Sequence, residues 1–124
     1  GAAADIAIEI DVGPEVLTGS TRLKAGTAQK LALNMISTMA MVGIGKVYKN
    51  LMVDVQRTNE KLRTRAVNIV ADAAGVDKET AREFLEKAEG SVKHAIVMLL
   101  LGCPLDEACA KLEAAKGRVR LALQ

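Results

Sequence analysis

The chain has 124 residues, half of them hydrophobic and about a quarter charged, a balance that fits one folded domain or a small domain with part of another and excludes a disordered chain. Its formal charge of +2, with one Phe, one Tyr and no Trp, leaves nucleic-acid binding without either an electrostatic or a stacking basis. No apolar run approaches the roughly 20 residues needed to cross a bilayer, and the G-A-A-A-D start has no signal-peptide pattern.

In chain order, Ile6, Ile8 and Ile10 alternate with Ala7, Glu9 and Asp11, which predicts a short β-strand ending at Gly13-Pro14. A single strand cannot pair with itself, and no convincing second strand follows, so its sheet is expected to lie outside these residues or in another chain. Residues 13–30 then read G-P-E-V-L-T-G-S-T-R-L-K-A-G-T-A-Q-K, rich in hydroxyl and basic residues with one acid, Glu15. A loop that leaves a strand and feeds a helix start can bind an anion, because free N–H groups and the helix dipole point outward there. Gly19 would allow close approach of the main chain, Ser20 and Thr21 offer hydroxyls, and Arg22 and Lys24 offer charge. The same residue types also serve turns and caps, so an anion grip and a plain helix lead-in both stand at this point. The spacing matches neither a Walker motif nor G-x-G-x-x-G.

From Gly26 the texture is helical. Leu31, Met35, Thr38, Met39 and Val42 recur at helical spacing, Met35, Met39 and Met41 read as core filling, and Gly43 and Gly45 close the segment. Lys46 to Val55 reads as a linker in which 47–48 and 51–53 are weak strand candidates. Thr58 or Asn59 can cap the next helix, whose stripe is Leu62, Ala66, Ile69, Val70 and Ala73, ending at Gly75. Its charged face, Glu60, Lys61, Arg63 and Arg65, reads as solvated surface. Three short helices follow, each with a start signal and a glycine stop. Asp77 opens the first, which ends at Gly90; Ser91 opens the second, which ends at Gly102; Pro104 or Asp106 opens the third, which ends at Gly117. Phe84, Ile96 and Leu99 are expected to meet in a small bundle that leans on the helix before it.

The remaining candidates for chemistry are sparse. Glu15 stands without a second positioned acid or base, and a carboxylate accepting backbone N–H bonds explains it as well as catalysis does. His94 has no second histidine and reads as a packing residue. Cys103 and Cys109 lack metal or redox spacing and read as reduced thiols, Cys109 on an apolar stripe. Asn50, Asp54 and Asn59 read as cap and turn residues.

The stretches GPEVLTGSTRLKAGTAQKLALNM and GKVYKNLMVDVQRTNEKLRTRA closely resemble the N-acetylmuramic acid 6-phosphate etherases and, among their relatives, the vertebrate glucokinase regulatory proteins. The resemblance runs from Ala4 or Asp5 to the end. It implies a chain that is mainly α, with one strand left from an α/β sugar isomerase domain, a long helix pair and a small ubiquitin-associated-like three-helix bundle. Residues 1–55 would be the end of the isomerase domain, 56–75 a connecting helix and 76–124 a helical C-terminal domain. It also implies a cytoplasmic, dimeric lyase of cell-wall recycling that splits the D-lactyl ether of N-acetylmuramic acid 6-phosphate without metal, nucleotide or other cofactor. The family's acid–base glutamates and main phosphate-binding serines lie in its isomerase domain upstream of this segment, so no catalytic residue is expected here and the segment alone should be inactive. Glu15, Ser20, Thr21, Arg22 and Lys24 would line the edge of a sugar phosphate pocket, with Lys24 the leading direct contact. A homo-oligomer binding a sugar phosphate, and neither nucleic acid nor membrane, is the expected assembly. The alternatives are a sugar phosphate-binding regulator without turnover and a helical protein-interaction module.

Overall fold

The computed structural model describes residues 3–124, which form a mainly helical chain. Its elements are α1 (Lys24–Gly43), β1 (Val47–Tyr48), β2 (Leu51–Met52), α2 (Glu60–Ala74), α3 (Lys78–Lys87), α4 (Val92–Leu101), α5 (Leu105–Ala114) and α6 (Val119–Ala122). Two compact units divide near the end of α1, one up to Ala40 and the other Met41–Gln124.

The second unit holds the core. α2 packs on α3 and α4, α4 on α3, α5 and α6. Ala66, Ile69, Val70 and Ala73 of the expected α2 stripe are buried, together with Val67 and Ala71. Ile96 is wholly buried at the centre, while Phe84 and Leu99, expected beside it, are half-buried and pack against its margin. The many alanines at helix contacts let the backbones approach closely: Ala66, Ala81, Ala95 and Ala108 are all fully enclosed. The predicted caps form. Asn59 accepts from the Leu62 N–H at 2.9 Å, Asp77 from Glu79 and Thr80 at 2.8 and 2.9 Å, and Ser91 from His94 at 3.4 Å. Pro104 occupies the cap position of α5, where its missing N–H costs nothing but its side chain makes no cap bond.

The structure corrects the sequence reading at several places. Residues 6–10 form no strand, and Ile6, Ile8 and Ile10 are exposed; with no neighbouring strand among the described residues, their backbone has no ladder to join. The supposed linker instead contains a hairpin pairing Val47 with Met52 and Tyr48 with Leu51, extended by the Val53 N–H donating to the Lys46 carbonyl at 3.0 Å. Tyr48 and Val53 turn inward, and Lys46 pairs with Asp54 at 3.0 Å across the mouth. A fourth short helix, α6, follows the three expected ones. Met35, Met39 and Met41 are not core filling in this chain: α1 buries no residue, because nothing among the described residues covers its apolar side. Cys109 is exposed and Cys103 is the buried thiol, with burial pushing its pKa up.

At two of the glycine stops the left-handed backbone begins one residue before the glycine, which continues it at Gly90 and Gly117. In α3 the Gly90 N–H reaches the Leu85 carbonyl and the Glu89 N–H reaches Glu86, so the left-handed position belongs to Glu89, at φ +52°. α5 ends the same way, with Lys116 left-handed ahead of Gly117.

Candidate functional site

The hydroxyl-rich stretch lies in the first unit and is organised by Glu15. Gly13 takes φ +66°, its N–H donates to Asp11 Oδ1 at 2.9 Å, and the chain turns so that Glu15 faces the start of α1. There its two carboxylate oxygens accept separate backbone bonds, Oε2 from the Lys24 N–H and Oε1 from the Ala25 N–H, both at 3.1 Å. A helix start has unpaired N–H groups and a positive dipole end, and a carboxylate answers both. The Lys24 ammonium closes the same loop from the other side, donating to the Pro14 carbonyl at 3.0 Å. The ring so formed encloses Val16 to Leu23, with Gly19 at φ +85° and the Ser20 N–H donating to the Leu17 carbonyl at 3.1 Å.

The expected site residues therefore fall into two groups. Glu15 and Lys24 are tied into the loop's own clasp. Thr21 and Arg22 project from it and are exposed, while Ser20 is half-buried and accepts a long 3.5 Å bond from the Arg22 N–H. Thr21 also borders a shallow groove with Ile8, Ile10 and Gln29. The structure gathers these groups along one short loop without enclosing them. The role of Pro14 as acceptor for Lys24 was not read from the sequence; the only hint was the Gly-Pro turn before the acid.

The two Glu15 bonds, to Lys24 first and Ala25 second, hold its carboxyl below the usual carboxylate range, with the nearby Lys24 charge adding to them. A carboxyl whose pKa falls on folding contributes stability that is full above the unfolded value and is lost as pH drops through the folded one. The α1 start should thus loosen only in acid, below the ordinary carboxylate pKa. Amide exchange at Lys24 and Ala25 should quicken there, and Glu15→Gln should show fast exchange already at neutral pH. Equal protection in the two proteins at pH 7 would remove the clasp.

Elsewhere the candidates recede. His94 is half-buried, and desolvation, then the Lys93 charge, lowers its pKa, as befits a packing residue. No group of metal-ligating side chains occurs among the described residues, and no helix is long and apolar enough to cross a membrane.

Residues 49–93 match the family described as the C-terminal lid domain of glucokinase regulatory protein. An N-acetylmuramic acid 6-phosphate etherase of Geobacillus sp. (strain WCH70) is 62% identical over 121 residues, 98% of this chain and 41% of that protein. The etherase of Shouchella clausii (strain KSM-K16) is 66% identical over 94% of this chain and 40% of its own, and that of Bacillus cereus (strain ATCC 10987) is 63% identical over 97% and 41%. The chain thus spans about two-fifths of the length of these relatives. At that identity along nearly every residue, the chain belongs to the N-acetylmuramic acid 6-phosphate etherase family and corresponds to the C-terminal portion of its members.

Proposed function

We propose that the chain serves as the C-terminal part of a lyase that converts N-acetylmuramic acid 6-phosphate to N-acetylglucosamine 6-phosphate and D-lactate. The observation carrying this reading is identity above 60% to proteins named for that etherase activity, over 94–98% of this chain. The reaction is an elimination: a carboxylate takes the proton beside the sugar carbonyl, the lactyl oxygen leaves, and water adds to the resulting double bond. The carboxylates belong to the family's isomerase domain, and this chain's part is to hold the phosphate end of the sugar. Ser20 and Thr21 would donate hydroxyl hydrogens to phosphate oxygens, and Arg22 and Lys24 would balance its charge. Glu15 would act one step removed, fixing the loop through the Lys24 and Ala25 amides and leaving the side chains on its outer edge for the ligand.

In the full-length etherase, Lys24→Ala should weaken sugar phosphate binding roughly tenfold or more while the fold persists. Unchanged substrate kinetics would remove Lys24 from the site. A regulator that binds sugar phosphate without turnover is the second reading, favoured by the lid-domain match over residues 49–93. Sugar phosphate binding without lactate release by the full-length protein would decide for it.

The assembly is proposed as a cytoplasmic homo-oligomer working in cell-wall recycling. The uncovered side of α1, with Leu31, Met35, Ile36 and Met39 more than half exposed, supports self-association. Sedimentation of the 124-residue chain should show a concentration-dependent rise in mass, and a constant monomer mass at high micromolar concentration would count against it.

A further inference from the structure

A cleft of about 600 Å³ opens between α2 and α3 in the second unit. Four basic side chains line it: Arg57 ahead of α2, Arg63 on α2, and Lys78 and Arg82 on α3. None of the four has an ion-pair partner within 4.0 Å among the described residues, although Glu60 and Glu86 share the wall. Two positive charges therefore remain in excess. Arg57 is held close by the chain itself. Its guanidinium crosses the backbone at Gly90, where a Cβ would lie only 1.4 Å from one of its nitrogens, so the absence of a side chain there makes room for it. Beside these donors sits an unsatisfied acceptor. Asn68 lines the cleft, and its Oδ1 is buried and accepts no hydrogen bond from the protein.

We propose that this cleft is a binding site for a phosphorylated sugar or polyol, with the phosphate monoester on Arg57, Arg63 and Arg82 and a ligand hydroxyl donating to Asn68 Oδ1 as the Asn68 side chain turns into the cleft. The two halves of the ligand follow from the two kinds of lining. Guanidinium groups pair with phosphate oxygens in bidentate fashion, and the monoester's double charge matches the excess. An anion oxygen would be repelled by the Asn68 carbonyl, which calls for a hydrogen-bond donor, and Glu60 and Glu86 can accept further hydroxyls. The cleft has the size of one small ligand. No aromatic side chain lines it for base stacking, which disfavours a nucleotide chain.

The test is a two-dimensional NMR titration of the 124-residue chain at constant ionic strength, with glucose 6-phosphate, inorganic phosphate and glucose as separate probes. Saturable shifts with glucose 6-phosphate at Arg57, Arg63, Arg82 and the Asn68 side-chain amide are expected. Inorganic phosphate should bind the same arginines more weakly, and glucose should not bind. Arg63→Gln and Arg82→Gln, each with an otherwise unchanged spectrum, should weaken glucose 6-phosphate about tenfold. Asn68→Leu should lose the preference over inorganic phosphate and keep phosphate binding. Non-saturating shifts spread over all surface basic residues, or equal affinity for phosphate and glucose 6-phosphate, would overturn the proposal. Shifts confined to residues 20–24 would overturn it too, while supporting the separate loop reading.

Discussion

Ile96→Ala should destabilise the helical unit by about 3 kcal/mol, within the range of roughly 2–5 kcal/mol for truncating a buried Ile to Ala. The position is chosen because every route through the core meets there. Ile96 is fully enclosed on α4, the helix that touches α2, α3, α5 and α6. Its neighbours on the same helix, Val92, Ala95, Val97 and Met98, are also buried, and of these only Met98 is flexible enough to move toward the space. The core is built largely of alanine and valine, short residues that cannot extend into a cavity. Collapse would require helix movement, and the cost should fall in the middle or upper part of the range. For a unit of this size that is on the order of 15 °C in melting temperature. Urea unfolding should show a lower midpoint with an unchanged slope. Leu121→Ala, at a position 44% exposed, should change stability by no more than about 0.5 kcal/mol and serves as the comparison. A loss below about 1 kcal/mol at Ile96 would mean that the helices repack freely and that α4 is not the keystone it appears from burial.

The helical unit was readable because each of its helices carries its own punctuation. Asp77 and Ser91 cap through side-chain oxygens, Gly75 and Gly102 end helices in the left-handed region, and the alanine and valine spacing marks the inner faces. These signals are local, so the chain alone suffices to show them. The hairpin was missed because strands of two residues are too short to display alternation, and Tyr48 and Val53 turn inward for tertiary reasons. α6 has four residues, about one turn, below any useful window. The isoleucines at 6, 8 and 10 carry a genuine period-two pattern, but a strand exists only through its neighbours. The same holds for the methionines of α1, whose spacing marks an apolar side that nothing among the described residues covers.

For the loop, Glu15 was recognisable as an acid suited to backbone N–H groups, though its reach of nine and ten residues to Lys24 and Ala25 was not. The α2–α3 cleft was not legible at all. Arg57, Arg63, Lys78 and Arg82 are scattered through 26 positions in which charged residues are common, and only the packing of two helices sets them around one space. Of the four only Arg63 lies on α2, where it lines the cleft with Glu60 and Asn68 while Lys61 and Arg65 do not.

Gly45→Ala should cost about 3 kcal/mol, although it adds a single methyl group at a helix end. α1 finishes in a paired capping arrangement: the Lys46 N–H donates to the Met41 carbonyl at 3.0 Å, and the Gly45 N–H to Val42 at 3.1 Å. That geometry places Gly45 at φ +78°, where an L-residue with a Cβ is disfavoured by about 1 kcal/mol. The second term is specific to this fold. A Cβ at Gly45 would stand 2.8 Å from the Gly117 carbonyl oxygen and 3.1 Å from its carbon, and these are backbone atoms that no rotamer change can move. Relief would require shifting the turn between α5 and α6, where Gly117 is itself bonded to Leu112 at 2.7 Å. Overpacking of this kind adds roughly 1–3 kcal/mol. Two comparisons separate the terms. Gly43→Ala has open space and no positive φ, so it should be neutral or slightly stabilising. Lys116→Gly, at φ +52° with a side chain already present, should gain up to about 1 kcal/mol by relieving the same left-handed penalty without any contact. If Gly45→Ala lost no more than Lys116→Gly gained, the close approach to Gly117 would carry no energy and only the backbone term would remain.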